Sequence, residues 1–358
     1  MAGDDTLNSL QDELVDKLNV ELQKDPAGEQ IEVHAGRKTV DENDGLAAAH
    51  ERARAIGQPL NAKLVIWGRK LGDKKFYPRI TVMNAPKAWG ATSERTRGVQ
   101  KIDELRLPEE LVDEPFYLIH FAAGYSYFDQ NKYKEALPHF EAALQRWGGS
   151  PNEIADLQFL TASCDYTLSL SQRDMTAKLQ KAIELYEKAA EVYSGADQKS
   201  AGTQNNLGLA YVQLPTGDRT ANLQRAIVAY EAALRVSTEK DFPIDWARIQ
   251  NNLGNAYAQL PTGDRAANLQ RAIAAYEAAL RVRTEKDFPV DWAESQYDLG
   301  HVYAQLPTGD RAESLKRAKA YFESALRVYT ENEFPSEHSA VAAELADVGL
   351  QLHNLTVK

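Results

Sequence analysis

The stretch "AQLPTGDRAANLQRAIAAYEAAL", Ala258 to Leu280, decides the fold. It recurs almost unchanged from Val212 to Leu234 and more loosely from Ala304 to Leu326, a constant step of 46 residues. Gly208, Gly254 and Gly300 keep the same step. A period of that length describes a solenoid, in which each unit buries its apolar face only against its neighbours.

Two helices are written inside each unit. "NNLGNAYAQL" sets Leu253, Tyr257 and Leu260 at helical spacing, and "NLQRAIAAYEAAL" does so with Leu269, Ile273, Tyr276 and Leu280. Pro261 ends the first helix, because a residue preceding proline is pushed out of the α region. Thr262 and Gly263 form the turn, and Asp264 supplies a side-chain oxygen to the start of the second helix. In the third copy Asp310 and Glu313 have the spacing of a capping box. Pro289, after "TEKDF", is placed to open the next hairpin. Phe242, Phe288 and Phe334 before the prolines, with Trp246 and Trp292 after them, are expected to wedge neighbouring hairpins together; His338 takes the tryptophan's place in the last copy.

These residues resemble the tetratricopeptide repeat family. The clearest match is "YLIHFAAGYSYFDQNKYKEALPHFEAALQRWGGS", Tyr117 to Ser150, where Gly124, Tyr127, Ala136, Phe140 and Ala143 fall at the family's spacing. The 46-residue copies look like an expanded form of that unit, similar to arrays in large bacterial signalling proteins. Residues 151–200 are a degenerate copy in which Tyr166 matches Tyr211. The expected fold is mostly α: a right-handed tetratricopeptide α-solenoid preceded by a small α/β domain. The expected organisation is an α/β domain over 1–90, a linker over 91–115, five helical hairpins over 116–335 and a capping helix over 336–358.

The resemblance implies a concave groove lined by the first helix of each hairpin. Its lining positions map onto Gly202, Asn205, Leu209, Val212 and Gln213, then Arg248, Asn251, Asn255, Ala258 and Gln259, then Glu294, Tyr297, His301, Ala304 and Gln305. Residues 205–250 and 251–296 differ at eight positions: 209/255, 212/258, 220/266, 228/274, 237/283, 244/290, 248/294 and 249/295. Three of the eight fall in the groove set, and two of those are drastic, Leu209 against Asn255 and Arg248 against Glu294. The amides of Asn205, Asn251 and Asn255 both donate and accept, which suits the backbone of an extended peptide. Gln213, Gln259 and Gln305 extend that row, with Tyr297 and His301 adding an aromatic contact at one end. A lysine-rich clamp for a terminal carboxylate is missing from these positions. The expected function is a non-enzymatic adaptor holding a peptide or protein segment in this groove. A second, weaker site is the repeated Asp218/Arg219, Asp264/Arg265 and Asp310/Arg311 edge.

Charge separates the two ends of the chain. Residues 1–100 hold 15 basic and 15 acidic side chains, so the net charge of −11 lies wholly in the remainder. That is unfavourable for nucleic acid, whose phosphates want a basic surface, and compatible with basic or zwitterionic protein partners. A single cysteine, Cys164, rules out an intramolecular disulfide, and no apolar stretch approaches the roughly 20 residues of a membrane span. The acidic, amphipathic N-terminus is unlike a signal peptide, so a cytoplasmic location is expected, with self-association possible for such a scaffold.

Within residues 1–90, "LNSLQDELVDKLNVELQ" and "NDGLAAAHERARAIGQPL" read as helices, and "QIEVHAG", "AKLVIWG" and "FYPRITVMN" as strands. The last two strands flank a basic turn, with Arg69, Lys70, Lys74, Lys75 and Arg79 interleaved by Trp67, Phe76 and Tyr77. Such a hairpin suits a nucleotide-like or other anionic ligand; equally, basic residues discourage edge-to-edge aggregation of a sheet. An alternative function is therefore a sensor with the ligand on this hairpin, and a third is a unit that assembles through its solenoid ends. No nucleophile–base–orienter set, metal-ligand spacing or phosphate loop is written in the chain, so no catalytic residue, metal or cofactor is expected.

Overall fold

The computed structural model describes residues 64–71, 75–82, 115–146, 148–170, 175–193, 198–307 and 309–356. The expected helices over 7–23 and 43–60, the strand "QIEVHAG" and Lys74 lie outside them. Strands β1 (Leu64–Leu71) and β2 (Lys75–Val82) form an antiparallel hairpin. Its register pairs Trp67 with Arg79, Arg69 with Tyr77 and Lys70 with Phe76.

The other described elements are helices. Helices α1 (Pro115–Asp129) and α2 (Tyr133–Arg146) pack as one hairpin, α3 (Pro151–Ser169) and α4 (Met175–Val192) as the next. Three more follow: α5 (Gln198–Gln213) with α6 (Arg219–Leu234), α7 (Pro243–Gln259) with α8 (Arg265–Ala279), and α9 (Pro289–Gln305) with α10 (Arg311–Ala325). Helix α11 (Pro335–Thr356) packs on α10 and has no second helix of its own among the described residues. The helices divide into two compact units, α1–α4 with the strands and α5–α11.

The repeated glycines have a steric cause. A Cβ on Gly254 would sit 2.7 Å from the Tyr276 ring, on Gly208 2.5 Å from Tyr230, and on Gly300 2.6 Å from Phe322. The aromatic ring of each second helix lies directly on the backbone of the first, flanked by fully buried alanines: Ala226 and Ala233, Ala272 and Ala279, Ala318 and Ala325. Gly124 under Phe140, with Ala136 and Ala143 buried, repeats this in α1/α2. The longer unit differs locally. Helix α2 begins three residues before Ala136, whereas α8 begins seven before Ala272, so in the copies the second helix starts about a turn earlier, after a longer connection.

That connection folds as its residues dictate. Gly217, Gly263 and Gly309 take φ of +80°, +83° and +90°, the left-handed region that glycine enters without strain. Asp264 accepts the Ala266 and Ala267 N–H groups at 2.9 and 3.2 Å. Asp310 does the same for Ala312 and Glu313. The expected capping box at Glu313 is replaced by an ion pair of that carboxylate with Arg317 at 3.2 Å. A reciprocal contact of the box type occurs instead at Ser150, whose N–H donates to Glu153 at 2.8 Å. Pro243 and Pro289 open α7 and α9.

Candidate functional site

The candidate site is the row of first helices α5, α7, α9 and α11 in the second unit. Successive hairpins are joined there by two ladders. In the first, Asn252 donates its amide to Asn205 Oδ1 at 2.9 Å, and Asn251 donates to Asp298 Oδ2 at 3.3 Å. In the second, Arg219 reaches Gln259 at 2.6 Å, Arg265 reaches Gln305 at 2.7 Å and Arg311 reaches Gln351 at 2.6 Å. The other guanidinium arm of each arginine holds a carbonyl at the end of its own hairpin's first helix, that of Val212, Ala258 or Ala304.

These ladders correct part of the expected groove. Asn205 and Asn251 are buried, at 0% and 2% exposure, so their amides do not form an open row for a ligand backbone. Asn251 also accepts the Ser295 hydroxyl at 2.8 Å. Each is covered by the next first helix, which supplies its partner from one register position further on. Asn255 stays half-exposed; its Oδ1 accepts the Tyr276 hydroxyl at 2.8 Å, leaving its amide N–H groups for another acceptor. Gln213 is exposed, while Gln259 and Gln305 are exposed but held by Arg219 and Arg265. The Asp/Arg edge is likewise spent internally, on caps and on the arginine ladder.

Leu209, Tyr297 and His301 are half-exposed. The rings of Tyr297 and His301 stack at 6.3 Å, and His301 lies 2.5 Å from Gln305 and 3.7 Å from Glu344. Arg248 pairs with Asp245 at 3.2 Å, and Asp245 is held in turn by Gln198. Glu294, in the register of Arg248, faces the buried Arg283 at 3.6 Å, with Asp291 on the same guanidinium at 3.5 Å.

That last contact explains three of the eight differences between the copies as one event. Ser237, Arg248 and Ile249 in one junction become Arg283, Glu294 and Ser295 in the next. Arg283 donates to the Ser295 hydroxyl at 3.1 Å and is offset by Glu294. A buried guanidinium demands hydrogen-bond acceptors and counter-charge, and both arrive with it. The sign change at 248/294 therefore has an internal partner. The difference at 209/255 has only a partial one, in Tyr276.

Sequence reasoning missed Asp298 and Glu344, which follow the lining positions by one residue. The signal was present: the doublets Asn205–Asn206 and Asn251–Asn252 become Tyr297–Asp298 in the third copy. Loss of hydration low in the row, with Glu294 adding repulsion, pushes the Asp298 carboxyl up to about 8, against the Asn251 amide and Arg283, which lower it. In the other unit Cys164 is fully buried; burial, and then the neighbouring Asp165, push its thiol up, away from a nucleophilic thiolate. Among the described residues no group of three or more His, Cys, Asp or Glu could hold a metal ion, and no helix is long and apolar enough to cross a membrane.

Paired helices closed by glycine–aromatic contacts and stacked through repeated side-chain ladders define a helical-repeat protein. The tetratricopeptide repeat family model matches residues 118–146, the α1/α2 hairpin, and the chain is a tetratricopeptide-repeat-containing protein. Among solved structures it is similar to a thermophilic tetratricopeptide protein of Thermus thermophilus. That match has 20% identity and a TM-score of 0.41, over 65% of this chain and 99% of the other. It is also similar to BtubC (BKLC) from P. vanneervenii, at 22% identity and a TM-score of 0.45 over 60% and 81% of the two chains. No curated protein matches the chain.

Proposed function

We propose that the protein is a cytoplasmic, non-enzymatic adaptor that holds an extended protein segment along the first-helix row of its second unit. The observation carrying this reading is the register row Leu209, Asn255, His301. Between the first two copies the flanking residues repeat almost letter for letter, and across all three this row runs from aliphatic to amide to imidazole while its side chains stay half-exposed. A scaffold held constant around a varied, accessible row suits recognition of a ligand whose chemistry changes along its length. Leu209 offers an apolar seat, Asn255 its free N–H groups for a backbone carbonyl, and Tyr297 with His301 an aromatic ledge.

The test is affinity capture from the source cell's lysate by wild type and by Leu209→Ala/Asn255→Ala/His301→Ala, after circular dichroism has matched their folding. Partners held by the wild type and lost by the variant support the row. Identical partners on both remove it. A second reading, an anionic ligand at the β1–β2 hairpin, draws on the register that sets Trp67 opposite Arg79 and Arg69 opposite Tyr77. It requires thermal stabilisation by an anion that is lost in Lys74→Glu/Lys75→Glu.

A further inference from the structure

The first-helix row changes in charge along its length. At α5 the side chains in the lining registers are neutral: Gly202, Asn205, Asn206, Leu209, Val212. At α7 the one charge, Arg248, is matched by Asp245 at 3.2 Å. At α9 and α11 the same registers bring Glu294, Asp298, Glu344 and Asp347, with Asp291 at the start of α9. Against these five carboxylates stand the buried Arg283, shared between Asp291 and Glu294, and His301, beside Glu344. Asp298 Oδ2 takes only the Asn251 amide, and Oδ1 takes no hydrogen bond among the described residues. The row is short of positive charge at this end, and the Tyr297–His301 stack lies in the same place.

We propose that the segment held by the row is cationic at the α9–α11 end, inserting a lysine or arginine side chain between Asp298 and Glu344 against the face of Tyr297. The inference rests on the adaptor reading above and adds the chemistry of the partner. A guanidinium or ammonium supplies the donors that Asp298 Oδ1 and Glu344 lack, and its charge is attracted to the aromatic face. A cation there also favours the ionised form of Asp298, which loss of hydration and repulsion from Glu294 otherwise disfavour. Complementary charge of this kind sets orientation as well as encounter rate, so the segment's basic end is fixed at α11 and its apolar end at α5.

The experiment is selection of a displayed library of random dodecapeptides on the immobilised full chain, followed by fluorescence anisotropy on the best-enriched peptide. Three variants accompany the wild type. Asp298→Asn/Glu344→Gln removes the two under-partnered carboxylates and leaves Glu294 on the buried Arg283. Leu209→Ala/Asn255→Ala disturbs the row away from the acidic end. Glu277→Gln/Glu323→Gln/Glu331→Gln removes at least as much negative charge from exposed positions outside the row. The expected result is enrichment of lysine and arginine, with affinity weakened about tenfold by Asp298→Asn/Glu344→Gln, the factor to which about 1.4 kcal/mol corresponds. Affinity is unchanged in the control variant and falls with added salt. Peptides without basic enrichment that still depend on Leu209 and Asn255 overturn the cationic partner and leave the row standing. Peptides indifferent to both row variants, or equally weakened by the control, overturn the site itself.

Discussion

Hairpins α3/α4 and α7/α8 follow one plan and put it to opposite uses. Aligned on Tyr166 and the tyrosines of the copies, the registers of Arg248, Asn251 and Asn255 hold Leu157, Leu160 and Cys164, which are 0%, 1% and 0% exposed. Helix α3 is buried on nearly every side, whereas α7 keeps one face polar and partly open. The close approach of the two helices is also solved differently. Tyr276 lies on bare backbone at Gly254; in α3 that register is Ser163, whose hydroxyl lies 2.9 Å from the Tyr186 hydroxyl. A repeat fold thus tolerates either a closed core or an open row at the same positions, and the side chains there decide which.

The comparison breaks most visibly if an open-row residue is written into the closed hairpin. Leu160→Asn removes a buried isobutyl group and leaves an amide among apolar neighbours. It should cost about 2–5 kcal/mol on the scale of buried leucine truncations, with the unmet hydrogen bonds adding to the loss. Cys164 gives a local readout, being the chain's single cysteine and sealed in α3. Native protein should resist iodoacetamide, and the variant should be alkylated at concentrations of urea that leave the wild type unmodified. Equal protection in both would mean that α3 is not the closed core described.

A smaller loss is expected where the copies rely on a missing side chain. Gly254→Ala gains roughly 1 kcal/mol of helix propensity. It also drives a Cβ to 2.7 Å from the Tyr276 ring, an overpacking that typically costs about 1–3 kcal/mol. The net effect should be a lower Tm by circular dichroism, restored in part by Gly254→Ala/Tyr276→Leu. A rise in Tm for the single variant would show that the ring can retreat.

Smaller still is a pH effect confined to the open row. An Asp298 carboxyl raised to about 8 binds protons in the folded chain that the unfolded chain has already released. Its contribution is therefore complete below roughly pH 4, where both states are protonated, and is lost as pH rises towards 8. Asp298→Asn should raise Tm at pH 8 by roughly 2–4 °C, as about 1 kcal/mol does in a domain of this size, and change little at pH 4. An equal shift at both pH values would remove titration as the cause.

The hairpins were legible because their signals are local. Proline at a helix start, aspartate at a cap, glycine at positive φ and apolar residues at helical spacing each act within a few residues. The row was legible in position and misread in availability. Asn205 and Asn251 look free on one helix, but their partners Asn252 and Asp298 arrive 47 residues later on the next, a distance at which no periodicity argument operates. Arg248 and Glu294 read as two ligand contacts; Arg283, buried in the connection that precedes α9, accounts for one of them by pairing with the exposed Glu294 carboxylate. Partner identity for a polar residue is a tertiary fact, and the repeat multiplies the chance that the partner comes from the next copy.

The arginine ladder tests how much such cross-copy bonds contribute. Arg219 spans from the Val212 carbonyl to Gln259 of the following hairpin, on an exposed edge where water competes for every donor. Its net contribution should be small, about 0.5–1 kcal/mol, because the bonds exchange with solvent on unfolding. Arg219→Lys keeps the charge but loses the planar fork that serves two acceptors at once. It should therefore cost nearly as much as Arg219→Ala if geometry matters, and almost nothing if charge alone does. Adding Gln259→Ala separates the two arms: a coupling energy of about 0.5 kcal/mol in the double-mutant cycle assigns that share to the bond between hairpins. Zero coupling would place the whole effect on the Val212 carbonyl, making the arginine a helix-end clasp within its own hairpin and leaving hairpin-to-hairpin cohesion to the buried Asn205–Asn252 and Asn251–Asp298 contacts.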